Sequence, residues 1–221
     1  MGLASLPSLL GIYPLVESAR EADAMAKAGA RMVQLRIKNR PIEQIEAEVA
    51  LACRLMAETP CRLIINDHWA LAIRHGADGV HLGQEDVSAL PSGTLSQLSH
   101  AGLALGLSSH TPEEITRALR WSPAYLAIGP IFASPSKRLP YPAVGMDRIK
   151  QWAQTVPCPV IAIGGIQARH LPQLGRSGIA GVAMIHALQR ADDPVTELRS
   201  LQSRFDQAWS VSEETGERHD G

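Results

Sequence analysis

Arg62-Leu63-Ile64-Ile65-Asn66-Asp67 and, one short helical stretch later, Gly79-Val80-His81-Leu82-Gly83-Gln84-Glu85-Asp86 are two aliphatic runs that each end in polar, acid-bearing residues. The intervening segment His68 to His75 reads as a helix. Short runs of Ile, Leu and Val without polar alternation are the pattern of strands covered on both faces in a parallel sheet. Asn, Asp, Gln and Glu at the C-terminal tips are what the rim of a catalytic barrel requires, because there the chain leaves the core and side chains become free for chemistry.

Working outward, the same alternation runs through the chain. Strands are expected at Ile12–Val16, Met32–Ile37, Leu63–Asn66, Gly79–Leu82, Leu103–Ser108, Tyr125–Gly129, Val160–Gly164 and Gly181–Ile185, eight in all. Helical segments lie between them, with recognisable starts such as Thr111-Pro112-Glu113-Glu114, where Thr caps and Pro occupies the first turn. An internal repeat turns this alternation into closure. Ala28-Gly29-Ala30-Arg31-Met32-Val33-Gln34-Leu35 resembles both His75-Gly76-Ala77-Asp78-Gly79-Val80-His81-Leu82 and Ser177-Gly178-Ile179-Ala180-Gly181-Val182-Ala183-Met184. Each copy reads as a helix ending in glycine, a tight turn and a strand. Gly29 and Gly76 are 47 residues apart, and Gly76 and Gly178 are 102 apart, about twice as far. The missing copy falls at Trp121-Ser122-Pro123-Ala124-Tyr125-Leu126. Four units of two strands make a single (β/α)8 TIM barrel over residues 11–209. The competing fold is an open doubly wound sheet, but no glycine-rich dinucleotide fingerprint follows the first strand.

Composition narrows the function classes. The 221 residues carry 21 basic and 22 acidic side chains, a net charge of −1, which gives no field for nucleic acid or an anionic membrane. No apolar run approaches the roughly 20 residues of a membrane span. Cys53, Cys61 and Cys158 are scattered and odd in number, which fits the reducing cytoplasm rather than a disulfide framework. Residues 1–10 have no basic leader and read as a flexible lead-in. Pro194 to Trp209 reads as the last barrel helix, and residues 210–221 as a disordered polar tail. The sequence is silent on oligomeric state.

The strand tips carry the chemistry. In Gln34-Leu35-Arg36-Ile37-Lys38, period two puts Gln34, Arg36 and Lys38 on one face and Leu35 and Ile37 on the other. Cations aimed into a barrel are costly unless an anion meets them. Arg36 is suited to fork onto a phosphate, with Lys38 as a point charge beside it; a rim salt bridge to neighbouring acids is the plainer alternative. Asp67 and Asp86 stand on adjacent rim connections, where two carboxylates suit a hard cation such as Mg2+ that takes its other ligands from water and phosphate. Singly, each is equally a helix cap. His81 reads as a satisfied core histidine before a ligand, whereas His110 is open between acid/base work and a supporting hydrogen bond. The long connection from Phe132 to Pro142, rich in hydroxyls and cations, reads as a phosphate-engaging lid. Gly164-Gly165 after strand seven and Ile185-His186 after strand eight fit a monophosphate held by backbone N–H groups.

These residues resemble the thiamine-phosphate synthase (thiamine-phosphate pyrophosphorylase) family from Gly11 to about Ala187. The specific pieces are Gln34 to Lys38, Asn66-Asp67, Gly79 to Asp86, Gly106 to Thr111, Gly129-Pro130-Ile131-Phe132 and Ala162 to Ile166. The resemblance implies a transferase joining 4-amino-2-methyl-5-(diphosphooxymethyl)pyrimidine to 4-methyl-5-(2-phosphooxyethyl)thiazole, with Mg2+, to give thiamine phosphate and pyrophosphate. By position it implies that Gln34, Arg36, Lys38 and Asn66 hold the pyrimidine diphosphate, and that Asp67 and Asp86 bind Mg2+. Ser108 would touch the pyrimidine and Lys137 the pyrophosphate. Ser134, Pro135 and Ser136 would contact the thiazole, with Gly165, Ile185 and His186 on its phosphate. Catalysis would rest on Arg36, Lys38, Lys137 and Ser108 through a dissociative displacement.

The chain departs from the family pattern in three places. Ser stands at 134 and 136 where Thr is usual, Leu139 follows Lys137-Arg138 where an acid is frequent, and His186 replaces a usual Ser. None removes a charge that the reaction needs. Two rival functions remain: a thiazole tautomerase on the same barrel, needing no metal, and a non-catalytic sensor of phosphate ligands. Retention of the diphosphate-binding and metal-binding positions argues against both.

Overall fold

Eight short strands pair in chain order, β1 with β2 and onward until β8 returns to β1, so the sheet closes into an all-parallel barrel. The computed structural model describes residues 3–133 and 141–214. The strands are β1 Gly11–Val16, β2 Met32–Leu35, β3 Arg62–Asn66, β4 Gly79–Leu82, β5 Ala104–Ser109, β6 Tyr125–Ile128, β7 Val160–Ile163 and β8 Gly181–Met184. The expected barrel is therefore the observed one, each strand lying within two residues of its sequence-based bounds. Helices α1 Ala19–Lys27, α2 Ile42–Met56, α3 Trp69–His75, α4 Gln84–Ser88, α5 Thr94–His100, α6 Pro112–Leu119, α7 Gly145–Thr155, α8 Leu171–Gly175, α9 His186–Gln189 and α10 Pro194–Glu214 cover the outside.

Two apolar layers follow from the period of two along each strand. Ile12, Val33, Leu35, Leu63, Ile65, Val80, Leu82, Leu105, Leu107, Leu126, Ile128 and Val182 face the helices. Tyr13, Leu15, Met32, Ile64, Ala104, Tyr125, Ala127, Ile161 and Ala183 fill the barrel itself. Small residues make room for large ones across it. A side chain on Gly106 would lie 2.1 Å from the Tyr125 ring, and one on Gly79 2.9 Å from Ile64 Cδ1.

The repeat also has a backbone cause. Gly29, Gly76 and Gly178 all adopt positive φ (104°, 71° and 86°), and β2, β4 and β8 each begin three residues later. Ser122 takes the same left-handed turn, φ 49°, three residues before β6. The fourth copy is thus a serine doing a glycine's work, at a cost of order 1 kcal/mol.

Two boundary expectations change. Residues 3–10 form neither strand nor helix, yet they do not lie free as a lead-in. Ala4 and Leu6 pack against the inner cluster, Leu10 is fully buried, and Leu10 N–H donates to Ala180 O at 2.7 Å. This segment stops the N-terminal end of the barrel. The last helix continues through Ser210 to Glu214, so the polar tail does not begin at Ser210; residues 215–221 lie outside the described residues.

Candidate active site

The residues that end the inward rows are polar. Gln34 on β2, Asn66 on β3, His81 on β4 and Ser108 on β5 stand above the apolar filling at the C-terminal end of the barrel. Five inward polar side chains are joined across it by four hydrogen bonds. Gln34 Nε2 donates to Tyr13 Oη at 2.9 Å, and the Tyr13 and Tyr125 hydroxyls are 2.9 Å apart. Tyr125 Oη lies 2.9 Å from His81 Nδ1, and His81 Nε2 lies 2.9 Å from Ser108 Oγ. The His81 and Tyr125 rings stack at 5.6 Å between centroids. Burial pushes the His81 imidazole down to about 4, against a smaller opposing pull from Asp67, so the ring is neutral. Burial raises both tyrosine hydroxyls, which stay protonated. His81 is the satisfied core histidine that its place in the strand suggests.

Beside this chain two buried amide atoms have no hydrogen-bond partner, Gln34 Oε1 and Asn66 Nδ2. A buried polar atom left unmatched costs about 1–3 kcal/mol, so such atoms need a reason. One is an acceptor and the other a donor, both at the barrel mouth.

One pair of charges meets above. Lys38 Nζ and Asp67 Oδ2 form an ion pair at 3.3 Å, with side chains 48% and 34% exposed. This is the rim salt bridge weighed from the sequence, and at that exposure it is worth under about 1 kcal/mol, so an incoming anion or cation displaces it easily. Asp67 does not cap α3. His68 holds the N-cap position without a side-chain bond, and Asp67 itself sits at φ 64°, a left-handed conformation that Asp tolerates better than most side chains but that is incompatible with an N-cap. Arg36 follows β2, its N–H on Val16 O at 2.8 Å, and it lines a small cleft with Leu15, Val16, Glu17, Ile185 and Gln189. Asp86 lies in the first turn of α4 and turns its carboxylate back onto Gly83 N–H at 3.1 Å, the local role expected of a helix-start acid. Among the described residues no three or more His, Cys, Asp or Glu side chains converge on one point.

Further round the rim, His110 Nδ1 lies 2.9 Å from Glu114 Oε2, and its ring stacks on Tyr141 at 4.5 Å. His110 thus has the supporting hydrogen bond that the sequence left open. Gly164 and Gly165 have φ of 93° and 69°, and a side chain on Gly165 would meet Phe132 O at 2.3 Å, so only glycine fits that turn. Ile185 precedes the short helix α9, which His186 opens. Ser134, Pro135, Ser136 and Lys137 lie outside the described residues. The three cysteines are free, and burial lifts their thiols to about 11 or 12, which makes them poor nucleophiles.

Sequence reasoning missed Tyr13 and Tyr125 as parts of the site. The available signal was two hydroxyl-bearing rings inside otherwise aliphatic strands, in a chain with three tyrosines in all. It also missed Gln84, whose Nε2 donates to Ser108 O at 2.8 Å and so fixes the end of β5.

Residues 14–188 match the family model described as thiamine monophosphate synthase. Thiamine-phosphate synthase of Shigella dysenteriae serotype 1 is 40% identical over 189 residues, covering 85% of this chain and 88% of the relative. That of Photorhabdus laumondii is 39% identical over 185 residues, 83% and 84% of the two chains. In structure, thiamine phosphate pyrophosphorylase from Pyrococcus furiosus superposes with a TM-score of 0.78 at 24% identity over 90% of this chain and 96% of that one.

Proposed function

The chain belongs to the thiamine monophosphate synthase family, and on that premise we propose how its barrel mouth performs the condensation. The protein is a transferase of the thiamine-phosphate synthase kind. It joins 4-amino-2-methyl-5-(diphosphooxymethyl)pyrimidine to a thiazole phosphate and releases pyrophosphate. The observation that supports the site assignment is the partly exposed Lys38–Asp67 pair set beside the unmatched amide atoms of Gln34 and Asn66.

In this reading Gln34 and Asn66 meet their missing partners on the pyrimidine diphosphate, while Arg36 and Lys38 take its charge. Ser108 touches the pyrimidine. Asp67 and Asp86 suit Mg2+: both are hard oxygen donors on successive connections, and two carboxylates leave positions for water and phosphate oxygens. When bound, the ion neutralises charge on the departing pyrophosphate. Lys137 grips that leaving group, and Ser134, Pro135 and Ser136 contact the thiazole. Gly165 and the Ile185-His186 backbone hold the thiazole phosphate. The displacement is dissociative. Pyrophosphate departs first, drawn by fixed positive charge, and the thiazole nitrogen captures the resulting pyrimidine methylene cation. Preorganised charge rather than a general base then supplies most of the rate. Three free thiols support a cytoplasmic site of action.

Incubation of the protein with each substrate alone and with both, with and without Mg2+, tests this directly. Pyrophosphate release that needs both substrates and the metal is expected. Proton exchange in the thiazole alone would point to a tautomerase, and ligand binding without turnover to a sensor; either result would overturn the assignment.

A further inference from the structure

A buried chain of hydroxyls has a direction as well as a length. Gln34 Nε2 can only donate, so Tyr13 Oη accepts from it, and the Tyr13 hydrogen then has one available acceptor, Tyr125 Oη. That leaves the Tyr125 hydrogen for His81 Nδ1. A neutral imidazole that accepts at Nδ1 carries its proton on Nε2, and that proton goes to Ser108 Oγ. The reverse order would bury the Tyr13 hydrogen with no acceptor. Turning the Gln34 amide over would permit the reverse order but bury its NH2 group unmatched, a rarer and costlier orphan than the single carbonyl now left over.

We propose that Tyr13, Tyr125 and His81 form a one-way hydrogen-bond relay that fixes His81 as its Nε2-protonated tautomer and thereby obliges the Ser108 hydroxyl to donate its own hydrogen toward the bound pyrimidine. The three are positioning residues. They act through Ser108, and the inference rests on the reading that Ser108 touches that substrate. The relay specifies the ligand atom opposite Ser108 as an acceptor, such as a ring nitrogen, and disfavours a ring bearing an N–H there. Gly106 belongs to the device, since its missing side chain admits the Tyr125 ring.

The direction is read by long-range proton–nitrogen correlation spectra of the full chain labelled with 15N-histidine, the His81 signals being identified by their loss in His81→Asn. An Nε2-protonated neutral ring is expected; an Nδ1-protonated ring or an imidazolium at neutral pH overturns the relay. Kinetics then test its purpose. Tyr125→Phe removes both the acceptor for Tyr13 and the donor to His81, and should raise KM for the pyrimidine diphosphate about 10-fold while KM for the thiazole phosphate stays within about twofold. Tyr13→Phe leaves Tyr125 still able to donate, so its effect should be no more than about threefold. Equal effects of the two variants, or no change in either, would overturn the relay's role. If the protein releases no pyrophosphate from the two substrates, the function assignment fails instead, and the tautomer spectrum still decides the relay.

Discussion

The two ends of one barrel are built on opposite terms. At the N-terminal end Met32, Ile64, Ala104, Ile161 and Ala180 fill the interior, with Leu10 and Leu6 closing it from below. The side chains inside that end carry no hydrogen-bonding groups, and dispersion and burial hold them together. At the C-terminal end the same inward rows continue as Gln34, Asn66, His81 and Ser108, and two of their atoms stay unmatched. The lower half maximises its own stability, whereas the upper half keeps bonding capacity in reserve for something else. A difference of this kind predicts that damage to the two ends will be read by different measurements.

The largest effect is expected in activity. Asp67→Asn removes a charge at the mouth and should lower turnover between about 100- and 1,000-fold, the range for losing one preorganised electrostatic group. Asn tolerates the left-handed backbone at φ 64°, so unfolding free energy should move by less than about 1 kcal/mol. Asp67→Ala would add backbone strain and blur that separation. Near-normal turnover in Asp67→Asn would break the contrast between the two ends. Ile64→Ala should do the reverse. It empties fully buried volume against Gly79 and should cost about 3 to 4 kcal/mol in urea unfolding, with kcat within about twofold. A fall in kcat larger than the loss of stability would show that the floor also shapes the site.

The third effect sharpens the contrast by pH. His81 in the folded protein holds a proton only near pH 4, whereas an unfolded histidine takes one near 6.5. The unfolded chain therefore binds protons first on acidification. The stability tied to a neutral His81 is complete above about pH 6.5, falls as pH drops towards 4, and is spent below that, up to roughly 2 to 3 kcal/mol. His81→Asn should flatten unfolding free energy against pH in that window, and an unchanged slope would remove His81 as its source.

Much of this was written locally in the chain. Aliphatic runs, capping residues and the glycine turns reveal the eight strands because each signal spans a few residues. The shared face of Gln34, Arg36 and Lys38 follows from strand period alone, and Leu35 and Ile37 do lie in the outer layer. What escaped depends on closure. Tyr13 and Tyr125 are 112 residues apart in sequence, and their bond exists only because the barrel shuts and Gly106 leaves space. Asp67 was legible as a candidate metal-binding residue, but the choice between that role and a helix cap was not. Its neighbours offer a plausible local cap, and only the positive φ shows that the chain declines it. Residues 3–10 have no periodicity of either kind, so nothing in their own pattern shows that they cover another surface.

That covering segment sets where the molecule can be handled. Ala4 N–H reaches Leu103 O just below β5, so anything fused upstream of Leu3 emerges on the side remote from the mouth. Immobilising the protein through its amino end would leave the reactive opening facing solution, and trimming the chain past Leu6 would instead wet the barrel from underneath.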